Sequence, residues 1–230
     1  MKDRPANAPD GLGKSVATYE QLKQSVVAGR LKPARRLPPW ELSRHLGVSQ
    51  TPVREALVRL AAEGFVEWRV NQGYYSKAYV ASEQTQLLQT CLVLLRSTMA
   101  GDWITAPEPL FRSLAALPAD AVKRPNGPEL IAQRAEDMYV GLARATGNDV
   151  LVAYNQTLVE RTHRLRLLDV QHPDAGEMTA LALSAIGRSL LSDDLEAAQR
   201  IGREIVHARL TRIARLVQQA NALAEASSMP

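Results

Sequence analysis

Apolar residues recur along this chain mostly at helical spacing and, in one short stretch, at strand spacing. Tyr19, Leu22, Val26 and Val27 fall three and four apart, which predicts a first helix over residues 16–28, ended by Gly29. Arg30 to Leu37 is a basic connector. Pro38-Pro39 then opens a second helix that runs to about His45, and Gly47 makes a turn. A third helix follows, with Val53, Ala56, Leu57, Leu60 and Ala61 on one apolar stripe. Ser49 or Thr51 is placed to cap it, and Pro52 fits its first turn. Gly64 stops this helix. Residues 65–70 and 74–80 are β-prone and flank Asn71-Gln72-Gly73, so a hairpin is expected there.

Beyond residue 80 the pattern is helical throughout. Leu87, Leu88, Cys91, Leu92, Leu94 and Leu95 make a broad apolar face over residues 81–99. Pro107, Pro109, Pro118, Pro125 and Pro128 then allow only short helices or loops. Further helices are expected over 129–146, 149–168, 176–191 and 194–224. In the second of these, Val150, Ala153, Tyr154, Thr157, Leu158, Arg161 and Leu165 share a face. In the last, Leu195, Ala198, Ile201, Ile205 and Ala208 do. The expected architecture is mainly α. A disordered arm (1–13) precedes a winged helix-turn-helix (14–80), and an all-helical bundle (81–230) follows.

Composition agrees with that outline. Hydrophobic residues make up 46% and aromatics only 5%, which favours Leu/Ala/Val helix packing over a sheet sandwich. The net charge of +4 is unevenly spread. Residues 1–80 carry 13 Lys and Arg against 7 Asp and Glu, a balance of +6, and the remainder carries 15 against 17, or −2. A basic first third suggests a nucleic-acid module, although charge alone would equally fit a solvated basic face. Cys91 is the only cysteine, so no internal disulfide is expected, as suits a cytoplasmic protein. No apolar run approaches the roughly 20 residues that span a bilayer, and the N-terminus lacks a signal-peptide core, so no membrane partner is expected. The 4 His are scattered, and no nucleophile or metal constellation appears. We therefore expect no enzyme, no catalytic residue and no cofactor.

The start of the third helix is where a helix-turn-helix meets base edges. Arg54 has the fork to bond guanine bidentately, and Gln50 suits adenine. A surface helix charge is the plain alternative for Arg54. Gly73 allows close backbone approach to a phosphate, while Asn71 and Gln72 fit simple turn-forming equally well.

Together, Gly29, Leu31, Pro33, Leu37, Glu41-Leu42-Ser43, the whole run Leu46 to Leu57, Leu60, Glu63-Gly64 and Asn71-Gln72-Gly73 closely resemble the N-terminal domain of GntR-family transcription regulators. The resemblance implies DNA contacts from Ser49, Gln50, Thr51 and Arg54, and from Gln72 and Gly73 at the wing tip. Two positions depart from the family pattern. Gln50 stands where Arg is usual, which implies a different operator base. Trp40 aligns with another contact position that is commonly Arg, and is expected to pack instead.

Leu142 to Asn148 and Asp194 to Ala198 are similar to pieces of FCD, the helical effector domain of one large GntR (FadR-like) subfamily. Many such domains bind a divalent metal through one Asp and three His, and the metal helps hold a carboxylate effector. The matching positions here are Ala135, Tyr139, Leu183 and Ile205, none of which supplies a carboxylate or imidazole. His207 lies two residues past Ile205, about 200° around a helix, and should point elsewhere. His163, His207 and Asp137 are read as solvated or structural.

The expectation is an apolar pocket with no metal, lined by Tyr139, Leu183, Ile205, Tyr154 and Arg161, with core filler as the alternative. The protein implied is a homodimeric repressor on a palindromic double-stranded DNA operator, controlled by a small-molecule effector. The alternative is a ligand-independent architectural DNA-binding dimer.

Overall fold

A computed structural model describes residues 10–100 and 105–226. Most of the expected N-terminal arm, residues 1–9, lies outside them. Among these residues the chain divides into two compact units, 10–78 with 221–226, and those between 79 and 220. The first boundary thus falls two residues before the expected 80. Residues 221–226 group with the first unit rather than the second.

The first unit holds three helices, α1 (Asp10–Val27), α2 (Pro39–Leu46) and α3 (Gln50–Ala62), then two strands, β1 (Val66–Arg69) and β2 (Gly73–Ser76). Helix α1 begins six residues before the expected 16, so residues 10–13 are helical rather than part of an arm. The expected stripe on α3 is what the core uses. Val53, Ala56, Leu57 and Leu60 are all at most 2% exposed and pack with Tyr19, Leu22, Leu31, Leu37, Leu42, Phe65 and Val66. Each such Val or Leu side chain contributes about 1.5–3 kcal/mol by leaving water.

Tyr19 fastens α1 to the far end of α3. Its hydroxyl donates to Glu63 and the Arg59 guanidinium lies 3.7 Å from its ring centroid. Burial and the Glu63 bond push the phenol up to about 12. Gly47 joins α2 to α3 at φ 67, and Val48 N–H donates to the Ser43 carbonyl across the turn. An L side chain at that φ is strained, which is why glycine suits the position.

The hairpin is shorter than expected. β1 pairs with β2 in antiparallel register, from Val66 opposite Ser76 to Arg69 opposite Gly73. Gly73 (φ 95) therefore opens a strand rather than closing the turn, and Asn71 takes the left-handed conformation at φ 61. Residues 77–80 leave the ladder.

The second unit comprises α4 (Ala81–Thr98), α5 (Glu108–Ala115), a 3-10 turn (Ala119–Lys123), α6 (Gly127–Ala145), α7 (Asp149–Gln171), α8 (Pro173–Leu191) and α9 (Leu195–Leu210). It also takes most of α10 (Ile213–Glu225). Residues 105–126 hold only short elements, as expected, but Pro128 falls in the first turn of the long helix α6, which starts two residues before the expected 129. The long last helix is divided at Thr211–Arg212. There the Thr211 hydroxyl donates back to the Ala208 carbonyl, and Arg212 turns to bond Asp169. Two helices start on side-chain caps: Asn148 accepts from Leu151 N–H, and Asp194 from Ala197 N–H, each at 3.0 Å.

Helix α7 is rotated relative to its expected face. Val150 and Tyr154 are each 66% exposed, whereas Asn155, Leu158, Val159, Thr162, Leu165, Arg166, Leu168, Asp169 and Val170 are buried. Four of these nine buried residues are polar; Leu158 and Leu165 of the expected face are among the nine, but the face as a whole is turned from the one that apolar periodicity gave.

Candidate nucleic-acid interface

The expected DNA-reading residues come together at the start of α3. Ser49 occupies the cap position with extended backbone but makes no side-chain cap bond. Ser49, Gln50, Thr51 and Arg54 are all exposed. An Arg54 Nη donates to Gln50 Oε1 at 3.2 Å, one helical turn away. This contact leaves the Gln50 amide N–H2 group free to donate. The pair is therefore a fork held by an amide on the exposed side of the first turn of α3. That geometry fits a guanine edge in a major groove. At the hairpin, Gln72 is exposed and Gly73 half-buried, and a Cβ on Gly73 would meet only Arg36 Nε, at 4.0 Å. The wing tip is thus open to a backbone approach.

Trp40 does not pack. It is 52% exposed on α2, with the Arg44 guanidinium 5.5 Å from its ring centroid. A helical i,i+4 spacing of an aromatic and a cation was the signal that sequence reading passed over.

In the second unit the five expected pocket residues do not converge. Tyr139 and Leu183 are 4% and 0% exposed inside the packed core, with Ala135 beside them in the same cluster. Tyr154 lies in solvent because α7 is rotated, and Arg161 bonds Glu83 at 2.6 Å. Ile205 lines an apolar groove of about 390 Å³ between α8 and α9, with Met178, Leu181 and Ala208, while its neighbour Val206 faces the interior. A second cleft, about 370 Å³, lies among α5, α6 and α7, lined by Leu110, Glu136, Val140, Arg144, Gln156 and Val159.

The bundle interior instead holds charge. Arg166, 1% exposed, donates to Glu136 (2.6 Å), Val159 O (3.0 Å) and Thr162 Oγ1 (2.7 Å), and His163 Nδ1 also lies 2.7 Å from Glu136. Asp169 accepts from Arg209 at 3.1 Å and from Arg212 at 2.7 and 2.9 Å. Burial works to raise the Asp169 carboxyl, but the Arg212 bonds and the charges of both arginines outweigh it and hold it below its ordinary value. Among the described residues, no three His, Cys, Asp or Glu side chains gather as a metal would require. Ala135, Tyr139, Leu183 and Ile205 do not fit a metal.

Three helices, an exposed reading end and a two-stranded wing define a winged helix-turn-helix, a DNA-binding class. Residues 14–75 match the family described as bacterial regulatory proteins, gntR family. The Nta operon transcriptional regulator of Aminobacter aminovorans is 26% identical over 149 residues, covering 63% of this chain and 70% of that protein. An HTH-type regulator in an unstable DNA locus of Streptomyces ambofaciens is 47% identical over 49 residues, 21% of each chain.

Among solved structures, a transcriptional regulator GntR from Rhodococcus sp. RHA1 superposes with TM-score 0.71 at 17% identity, covering 88% of this chain and 98% of that one. McbR/YncC of E. coli gives 0.61 at 20% identity, covering 90% and 99%. These likenesses show a shared fold, helical with an N-terminal winged helix. Residues 14–75 are a DNA-binding domain of the GntR type, and the relatives that the chain resembles are transcription regulators rather than enzymes. No helix among the described residues is long and apolar enough to cross a membrane.

Proposed function

We propose that this regulator is a homodimeric repressor that reads a palindromic operator and is controlled by a small effector acting on its helical unit. The observation that carries the DNA reading is the exposed Gln50–Arg54 pair at the start of α3. Arg54 reads a base, Gln50 orients it and contacts a neighbouring edge, Ser49 and Thr51 bond phosphates, and Gln72 and Gly73 place the wing. A two-fold dimer would present two such ends to two half-sites. The helical unit is of the FCD kind, a reading supported by the Asn148 and Asp194 caps, which lie within its matching segments. Its function is independent of a metal, because the ligand positions hold Ala135, Tyr139, Leu183 and Ile205.

Selection of bound duplexes from a random pool at near-physiological salt is the test. A recovered palindrome supports the dimeric reader, and sequence-blind binding counts against it. Arg54→Ala should abolish the preference for the recovered sequence while leaving helicity unchanged. Operator affinity equal to wild type would remove Arg54 from the base-reading role.

A second reading, a ligand-independent architectural dimer, is favoured by the complete burial of Leu183 and near-complete burial of Tyr139 in the bundle core. Thermal shifts on a panel of organic acids and amphipathic compounds separate the two, since a bound ligand raises Tm by mass action.

A further inference from the structure

Trp40 and Arg44 form a feature that the base-reading residues do not account for. Trp40 is 52% exposed on a short helix and takes no part in the core of the first unit. The Arg44 guanidinium lies 5.5 Å from its ring centroid, within cation–π range. Three other arginines of this unit are neutralised: Arg35 by Glu41, Arg59 by Glu63 and Arg69 by Glu67. Among the described residues Arg44, like Arg36 and Arg54, has no carboxylate partner. It sits in the last turn of α2, just before the turn at Gly47 that leads into the reading helix. In a helix-turn-helix the first helix crosses the DNA backbone while the second enters the groove. A cation at this place, unclaimed by any acid and stiffened by a ring beneath it, is suited to a phosphate.

We propose that Arg44, held in place by Trp40, contacts a phosphate of the DNA backbone and supplies the charge that Trp40 itself does not. Trp40 is then a positioning residue, and its exposure follows from that role. Phosphate contacts set register and affinity and carry no sequence information. The inference rests on the DNA-binding reading above, and its test distinguishes failure of one from failure of the other.

The experiment measures the affinity of the full chain for its selected operator and for a mixed-sequence duplex as salt is varied. It compares wild type, Arg44→Ala, Trp40→Ala and the double variant, with melting curves to establish folding. Arg44→Ala should weaken binding to both duplexes by about three- to tenfold and make the log–log salt slope shallower by about 1 per bound chain. Trp40→Ala should do much the same, and the double variant should be no worse than Arg44→Ala alone. The conservative Trp40→Phe should retain most of the affinity. An unchanged slope in Arg44→Ala would overturn the proposal, as would a loss confined to the operator. Additive losses would overturn the positioning role of Trp40. Wild type that binds neither duplex would sink the DNA-binding reading as well.

Discussion

Asp169, in the last turn of α7, ties that helix to Arg209 of α9 and to Arg212. Its side chain is 1% exposed and holds two arginines from the end of the chain, one of them 5% exposed. Removing the charge leaves Arg209 buried without a counter-ion, so Asp169→Asn should cost about 3–5 kcal/mol, read as a lowered urea midpoint. The pH dependence has a definite sign. The folded carboxyl titrates below its ordinary value of 3.8. Its stabilising contribution is therefore fully present above that value and is lost as pH falls through the lower, folded one. Acid unfolding curves of wild type and Asp169→Asn should converge below about pH 3.8, with the gap constant at neutral pH. A gap that persists unchanged at pH 2 would show that the loss comes from packing rather than charge.

At the scale of elements, the turn between α2 and α3 is governed by one dihedral. Gly47 sits at φ 67 with open space where a Cβ would go. Gly47→Ala should therefore cost only backbone strain, about 1 kcal/mol, and Gly47→Asn less, because Asn tolerates that region. Thermal melts of the two variants give the comparison, and an Asn variant less stable than the Ala variant would point to a steric cause instead.

The first unit was largely legible in the sequence because its core stripe, Val53, Ala56, Leu57 and Leu60, is purely apolar and its turns are marked by glycines. The exposure of Gln50 and Arg54 was legible for the same reason: once the apolar stripe is set, what remains faces out. Helix α7 was not, since Arg166, Asp169, Thr162 and Asn155 share its inner face and periodicity counts only apolar positions. The same slip put Ile205 rather than Val206 towards the interior, and it placed Tyr154 in a pocket when it lies in solvent. Exposed Trp40 was misjudged because a large aromatic is more often buried than held out to stack under an arginine.

For the whole molecule, the outcome is a helical unit whose interior cations are its own side chains. Dialysis against a chelator should leave Tm unchanged, within the error of calorimetry, whereas a fall of several degrees would mean that a metal contributes to the fold. The same interior bears on how the sequence is free to change over time. Substituting either partner of the Asp169–Arg209 pair alone strands a charge, while substituting both with apolar residues of similar volume is often neutral or better. Descendants of this chain thus face a valley between two acceptable cores, and crossing it takes two coordinated changes. The pair is expected to persist in lineages by historical entrenchment, whether or not it ever served the regulator's task.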